Sequence, residues 1–370
     1  MRIALVVPGG VSRDGEYRVI PSILWLIERL ARRHDVQVVT LRQESHPASW
    51  PRGSATVHNV GTRSWRRRAV QTLLRLHRST PFDVFHALWV RGPGEVAIVA
   101  GRLCRRPVLV HVSGGELVWL PEIRYGGAGS ALSRWIAGTV VRWADRVTAA
   151  STPMLELVRS HGAEAERVAL GVDTAFWAVM PPRPRARDRP ARLVHVGSLN
   201  PVKSQETLMH AAARLASTGW EFHLDVVGED TMGGAVQRLA DRLGLRGRVT
   251  FHGFLPQHRL RPMVSAADLM VMSSRHEAGP VAVLEAAIAG VPTVGTAVGH
   301  LKELAPHGAI VVDVGDARAL ADAIGGVLDD DARRLQLARS AQRVAMRENA
   351  DWTCARFEAL YGESLAPRTG

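Results

Sequence analysis

Two carboxylates, Glu277 and Glu285, flank a glycine–proline step in the stretch Ser273-Ser274-Arg275-His276-Glu277-Ala278-Gly279-Pro280-Val281-Ala282-Val283-Leu284-Glu285-Ala286. The apolar residues before it read as a buried strand. Those after it read as a helix with Pro280 at its first position and Gly290 at its end. A proline there gives up an amide that has no intrahelical acceptor in any case. The amides of Val281 and Ala282 then face the mouth of the loop, where a diphosphate gains from oriented N–H groups and from the positive end of the helix dipole. Gly279 allows the backbone to approach the anion closely. Further along the same helix, the Glu285 carboxylate is suited to accept both hydroxyls of a ribose, and Glu277 to bind hydroxyls of a sugar beyond the phosphates. A solvated loop acid followed by a helix with one exposed glutamate is the plainer alternative for this stretch alone.

A second segment bears on the choice. Val196-Gly197-Ser198-Leu199-Asn200-Pro201-Val202-Lys203 follows an apolar run and opens a helix. Of the 47 basic residues, 45 are arginine, and Lys203 is one of the two lysines. A lysine retained in such a background offers a compact point charge suited to phosphate. Its alternative is an ordinary lysine in the first turn of a surface helix.

Both segments require strands that stop at a loop and helices that start from it. The first half supplies strand candidates at Ile3–Val7, Val36–Thr40, Val84–His86, Val108–Val112 and Arg146–Ala150, separated by helix-length segments, one of them from about Ile20 to Arg33. Alternation of this kind implies parallel strands joined by crossover helices. It breaks at Met180–Pro190, which holds four prolines and no apolar periodicity and reads as a linker. It resumes with strands at Leu193–Val196, Phe222–Val227, Val249–Phe251, Leu269–Met272, Thr293–Gly295 and Ile310–Val312. The helices between them are expected at 203–217, 233–243, 257–266 and 280–289. The fold class is therefore α/β, two Rossmann-like doubly wound domains facing each other across a cleft. The expected boundaries are 1–178, a Pro/Arg-rich linker at 179–190, 191–345, and a terminal helix at 346–370 that returns towards the first domain. In such sheets ligands bind at the carboxyl ends of the strands.

Composition narrows the class further. A chain of 370 residues, 46% hydrophobic and 22% charged, fits two globular domains. No apolar run approaches the ~20 residues of a spanning helix, and no cleavable signal is apparent before the opening strand, so a cytoplasmic location is expected. Cys104 and Cys354 lie far apart, which excludes a disulfide framework and a cysteine-based metal site. The net charge of +12 is uneven: residues 1–180 carry 24 Arg against 14 acids, whereas residues 191–370 carry 19 basic against 20 acidic. An anionic surface would meet the first half. Within it, Ser64–Arg78 is basic and amphipathic, with Val70, Leu73, Leu74 and His77 on one helical face. Peripheral docking on an anionic membrane that carries a lipid-linked acceptor and a surface helix packed on the sheet fit this stretch equally.

The segments around Lys203 and Glu277 resemble the retaining family 4 glycosyltransferases of GT-B fold, whose Glu-x7-Glu motif corresponds to Glu277 and Glu285. Supporting matches are Gly171-Val172-Asp173-Thr174, Val249-Thr250-Phe251-His252-Gly253-Phe254, Ala266-Ala267-Asp268-Leu269, Gly290-Val291-Pro292-Thr293-Val294, Val298–Leu304 and the terminal Trp352–Tyr361 helix. The resemblance covers the second domain strongly and the first more loosely. It implies that Lys203, Gly197, Ser198 and the amides after Gly279 hold the donor phosphates, that Glu285 binds the ribose, that Gly253 and Phe254 border the base, and that Glu277 contacts the transferred sugar. The family's arginine beside the glycine is Ser198 here, and its second glycine after Gly299 is His300.

In the first domain Gly9 and Gly10 resemble the family loop that lets donor phosphates and acceptor approach the backbone. His111-Val112-Ser113-Gly114-Gly115-Glu116 resembles the segment carrying a family histidine near the reacting sugar. Aligned on the glycine, that place is taken by Ser113; strand alternation puts His111 on the same face, as a stand-in or as a structural histidine. The implied reaction is retaining transfer from a nucleotide sugar, a UDP-sugar before a GDP-sugar, to an unidentified small-molecule, glycan or lipid-linked acceptor, with the leaving diphosphate taking the acceptor proton. The stretches around Lys203, Glu277 and Glu285 hold no Asp-x-Asp pair, so neither metal nor cofactor is expected. The alternatives are a nucleotide-sugar epimerase or hydrolase of the same architecture. A dinucleotide dehydrogenase is weaker because Gly9-Gly10 lacks the Gly-x-Gly-x-x-Gly fingerprint. A basic nucleic-acid-binding protein ranks last, since no nucleic-acid module is present and no nucleic-acid partner is expected.

Overall fold

The computed structural model describes residues 1–366, which form two compact α/β units. The first comprises residues 1–171 and 350–366, the second residues 172–349.

The first unit is built on eight strands: β1 (Arg2–Val7), β2 (Asp35–Thr40), β3 (Ala48–Arg52), β4 (Ala55–Asn59), β5 (Val84–Leu88), β6 (Val108–Val112), β7 (Arg146–Ala149) and β8 (Glu166–Arg167). Their order is β3-β4-β2-β1-β5-β6-β7-β8, parallel throughout except for β3. The β3–β4 hairpin has no counterpart among the strands expected from sequence. Pro51 disguises β3 as a loop, and β3 tolerates it because it is an edge strand. Strands β1, β5 and β6 are almost wholly buried, so their sequences are continuous apolar runs without alternation.

The C-terminal helix Ala350–Leu365 completes this unit by packing on the helix Pro21–Leu30. Phe357, Leu360 and Tyr361 enter the same core as Ile3, Leu5, Ile23 and Ile27. Its polar edge is fixed by Arg29 on Asp351 (2.8 Å), by Arg33 and His34 on Glu358 (2.7 and 2.9 Å), and by Arg356 on Glu166.

The second unit carries β9 (Ala191–Val196), β10 (Phe222–Val227), β11 (Val249–Gly253), β12 (Leu269–Met272), β13 (Thr293–Thr296) and β14 (Ala309–Val312), all parallel, in the order β11-β10-β9-β12-β13-β14. The chain runs outward from β9 to β11, returns to the other side of β9 at β12, and continues outward. The gap between the carboxyl ends of β9 and β12 is thus the topological switch point where such sheets take ligands. The corresponding point of the first sheet lies between β1 and β5.

The proline-rich segment before β9 is seated on the second unit. The Met180 amide donates to the Ile288 carbonyl (3.0 Å) and the Arg185 amide to Asp331 (3.2 Å). Arg189 grips the buried Asp268 carboxylate with two bonds of 2.8 and 3.0 Å. Asp268 also accepts the Arg192 amide at 2.8 Å, so this charge is fully compensated although it lies inside the fold. Without such partners a segment of this composition would be a flexible tether.

Candidate functional site

The loops after β9 and β12 are stitched together by two hydrogen bonds. The Arg275 amide donates to the Val202 carbonyl (2.7 Å), and Ser273 Oγ donates to the Lys203 carbonyl (2.9 Å). These two bonds place the two segments singled out in the sequence side by side at the switch point. Lys203 Nζ lies 2.5 Å from Glu277 Oε1, and Ser274 Oγ donates to the same oxygen at 2.6 Å. The pair is largely shielded, with side-chain exposures of 22% for Lys203 and 11% for Glu277. A shielded ion pair of this kind costs desolvation on both sides, which a diphosphate arriving at the ammonium would offset.

The turn that presents Lys203 is held from beneath. His195 Nδ1 donates to the Val271 carbonyl (2.9 Å), which leaves Nε2 to accept from Gln205 Nε2 (3.2 Å). The same Gln205 nitrogen donates to the Ser198 carbonyl (3.1 Å). Burial drives the His195 imidazolium down to about 4, so the ring is neutral at physiological pH and its tautomer is set by the Val271 carbonyl. Gly228, at φ +155°, lies beneath this turn, and a β-carbon there would sit 2.1 Å from the Gly197 carbonyl oxygen. Gly197 and Ser198 are half-buried at the turn itself.

On the other side of the switch point the helix spans Val281–Ile288. Pro280 is its cap, in extended conformation (φ −68°, ψ 108°), and not its first helical residue. The shift by one residue follows from its ψ, which is extended and not helical. The consequence for the amides is unchanged, since Val281 and Ala282, both half-buried, are the first two of the helix and have no intrahelical acceptor. Gly299, the first residue of the helix Gly299–Leu304, presses on this cap at φ +49°. A β-carbon on it would meet Pro280 Cδ at 2.9 Å and the Glu277 carbonyl oxygen at 3.1 Å. The next residue, His300, is buried and bonds Glu303 at 3.0 Å.

Glu285 is 3% exposed, on the second turn of its helix. Its Oε1 accepts from Gln257 Nε2 (2.9 Å), whose own Oε1 accepts from Trp177 Nε1 (2.8 Å). Burial pushes the carboxyl up to about 7, against the lowering effect of Gln257 and Trp177. Gly253 and Phe254, at the end of β11, are exposed, with Phe254 at 43%. They lie two strands away from β9, on the same carboxyl edge of the sheet.

The first unit places its candidates differently. Gly9 and Gly10 follow β1 at that sheet's switch point, half-buried, with Gly10 in a left-handed turn. The Val11 amide beside them donates to Gln43 Oε1 at 3.2 Å. His111 has no exposed surface. Its Nδ1 bonds Thr148 Oγ1 (2.8 Å), its ring stands edge-on to Phe357 at 5.4 Å, and burial drives it down to about 3. Alternation along β6 is obeyed, but the face in question is covered by the C-terminal helix. His86 is buried beside it, with Nδ1 2.7 Å from the Tyr361 hydroxyl.

The helix of Trp65–Ser79 turns its apolar stripe inward. Ala69 and Leu73 are buried, and His77 packs on Phe82 and Phe85. Its arginines are left facing out. Among the described residues no helix is long and apolar enough to cross a membrane.

Several residues that shape the site were not marked by the sequence. Ser274 stood in the quoted stretch with no distinguishing feature, although its spacing of three from Glu277 is the one available hint. Gln205 meets His195 and Ser198 across a short loop, whereas Trp177 and Gln257 meet although they are 80 residues apart.

Comparison with known proteins agrees with the resemblance read from the motifs. Residues 180–344 match the family model of glycosyl transferases group 1, and residues 19–171 match the glycosyl transferase 4-like domain. A D-inositol 3-phosphate glycosyltransferase of Acidothermus cellulolyticus is 32% identical over 314 residues, covering 78% of this chain and 68% of that protein. Its counterpart in Thermobispora bispora is 30% identical over 246 residues, or 61% and 58% of the two chains. With several of these curated relatives, the match spans little more than half of their length. In fold, the chain is similar to sucrose-phosphate synthase of Thermosynechococcus elongatus (TM-score 0.80, 18% identity, 98% of each chain). It is also similar to Anabaena HepE solved with UDP and glucose (TM-score 0.76, 18% identity, 98% of this chain and 100% of that one). Two family models that between them take in most of both α/β units, and the Acidothermus relative across most of its own length, show that this chain belongs to the family 4-like glycosyltransferases of GT-B fold.

Proposed function

We propose that the protein transfers a hexosyl group, with retention, from a UDP-sugar to the hydroxyl of an acceptor. The observation that carries the donor half is the Lys203–Glu277 pair at the β9/β12 switch point, 2.5 Å apart, next to a helix start with two free amides. A diphosphate placed there meets the ammonium and the amides together. Released from part of its pairing, the Glu277 carboxylate turns to hydroxyls of the sugar. Buried Glu285, held by Gln257, takes the ribose. UDP is favoured over GDP because neighbours of this fold have been solved with UDP and with UDP-glucose.

In the reaction the bond from the anomeric carbon to the diphosphate oxygen breaks and a bond from that carbon to the acceptor oxygen forms. The acceptor proton ends on the leaving diphosphate. Lys203 and the Val281 and Ala282 amides stabilise the charge that develops on this leaving group, the kind of preorganised electrostatics that dominates such catalysis. His111 takes no part in these steps. No metal is assigned a role.

The test is a thermal-shift panel of UDP, GDP, ADP and TDP sugars, on the native chain and on Glu285→Ala. A ligand bound only by the folded state raises its stability, so a shift with the UDP class that vanishes in the variant is expected. No shift with any nucleotide sugar at saturating concentration overturns the reading. For the reaction itself, radiolabelled sugar should move to an added acceptor; steady release of free sugar irrespective of acceptor would identify a hydrolase instead.

A further inference from the structure

We propose that the outward face of three neighbouring helices in the first unit, Trp65–Ser79, Glu95–Cys104 and Ala131–Trp143, seats on an anionic lipid bilayer. The helices lie side by side. Arg66 reaches Glu95 at 2.9 Å, Arg91 donates to the Ser133 carbonyl at 3.1 Å, and Arg102 donates to the Trp143 carbonyl at 3.0 Å. The last two bonds join start to start and end to end, so the second and third helices run parallel.

A solvent-facing helix surface is normally polar, but this one is not. Leu132, Trp135 and Trp143 are 66%, 63% and 54% exposed, and Val99 and Leu103 on the adjacent helix are 48% and 63% exposed. Positions 132, 135, 139 and 143 fall on one helical stripe, and Val99 and Leu103 are one turn apart. Between the two tryptophans, Thr139 spends its hydroxyl on the Trp135 carbonyl at 2.8 Å, which leaves the indole N–H groups as the polar tips of an otherwise apolar stripe. None of these side chains belongs to the core cluster built around Ile3, Leu5 and Phe357. An exposed apolar strip of this kind marks an interaction surface, and tryptophan favours the headgroup level of a bilayer.

Charge names the partner. The three helices carry eight arginines and a single acid, Glu95. That acid is itself 15% exposed and neutralised by Arg66 and Arg91. Arg67, Arg75 and Arg78 are exposed on the first helix, whose apolar stripe is used internally, and Arg134 and Arg142 flank the tryptophans. At the far end of the layer Arg102, Arg105, Arg106 and Arg146, against Asp145 and Glu363, line an open cavity of about 710 Å³. An apolar strip bordered by nearly uncompensated arginines suits a surface of acidic headgroups over acyl chains. This reading is independent of Lys203, Glu277 and Glu285, which belong to the other unit.

Flotation of the full chain with phosphatidylglycerol-containing vesicles, and with pure phosphatidylcholine vesicles, tests it. Binding to the anionic vesicles at low salt is expected, with a blue shift of tryptophan emission and release at high salt. Leu132→Glu/Trp135→Glu should weaken that binding by at least about tenfold. These side chains stand in solvent, so an unaltered melting curve is expected and serves as the folding control. Arg67→Glu/Arg75→Glu should lower binding and flatten its salt dependence. Failure of the native chain to float, or undiminished flotation of a folded Leu132→Glu/Trp135→Glu variant, overturns the proposal. So does a variant that turns a dimer into a monomer without changing flotation, since the strip would then be a contact between copies.

Discussion

Lys203 Nζ and Glu277 Oε1 are 2.5 Å apart although 74 residues separate them in sequence. Each therefore satisfies the other before any ligand arrives. Lys203→Ala should leave Glu277 with Ser274 as its side-chain partner and remove the one ammonium at the loop mouth. A charge-assisted bond contributes about 1.5–3 kcal/mol, so affinity for UDP should fall about 10–100-fold by calorimetry. Undiminished UDP affinity would show that the phosphates bind elsewhere.

Glu277→Gln keeps the shape of the loop and the bond from Ser274 while removing the charge. Nucleotide affinity should change little, whereas turnover should fall by about 100-fold or more, since the missing interaction is one made to the reacting sugar. Equal losses in affinity and turnover would assign Glu277 to phosphate binding through Lys203 instead.

Glu285 sets a pH dependence whose sign follows from its raised value. Its carboxyl holds a proton up to about 7 in the folded chain, against 4.5 as a free group. The folded state therefore binds more protons between these values, and stability is full below pH 4.5 and is lost as pH rises towards 7. Glu285→Gln should remove this loss and stabilise the second unit at pH 8 by up to about 3 kcal/mol. Ribose hydroxyls are best accepted by the ionised carboxylate, so UDP binding at pH 6.5 should release a proton, seen as a buffer-dependent binding enthalpy. A binding enthalpy that does not vary with buffer would remove the ribose from Glu285.

His111 gives the opposite sign in the first unit. It stays neutral down to about 3 when folded and titrates at 6.5 when unfolded, so stability is full above 6.5 and is lost as pH falls towards 3. His86, beside it, is likewise held down by burial. His111→Leu should lessen the fall in melting temperature between pH 7.5 and 5 and leave turnover within about threefold of the native chain, as expected of a core substitution of similar volume. A loss of turnover of 100-fold with unchanged stability would restore His111 to the reaction.

Gly299→Ala probes the support of the helix cap. Its β-carbon would be forced into a left-handed backbone and against Pro280 and the Glu277 carbonyl. A cost of about 1–3 kcal/mol is expected, together with a weaker UDP-induced thermal shift because the loop carrying Glu277 is displaced. A variant with native stability and native shift would show that the cap is free to move.

Much of the architecture was legible because buried parallel strands leave an unambiguous trace. Phe222–Val227, Leu269–Met272 and the helix Gln257–Ala266 fall where the apolar runs and their breaks put them. The β3–β4 hairpin was not legible, since Trp50 and Pro51 on a short edge strand give no run to detect. The sequence alone also pointed to the family, because the matching segments are local and recur in order.

What only the tertiary structure decided concerns which face of each element is covered. His111 obeys strand alternation, but the helix that buries it arrives from more than 240 residues later. The stripe of Val70, Leu73 and Leu74 is amphipathic by any count, yet it is spent on the first unit's own sheet, while the leucine and tryptophans of Ala131–Trp143 are left in solvent. Periodicity reports that a helix has an apolar side. Whether that side meets a sheet or water is set by long-range packing, which no local spacing encodes.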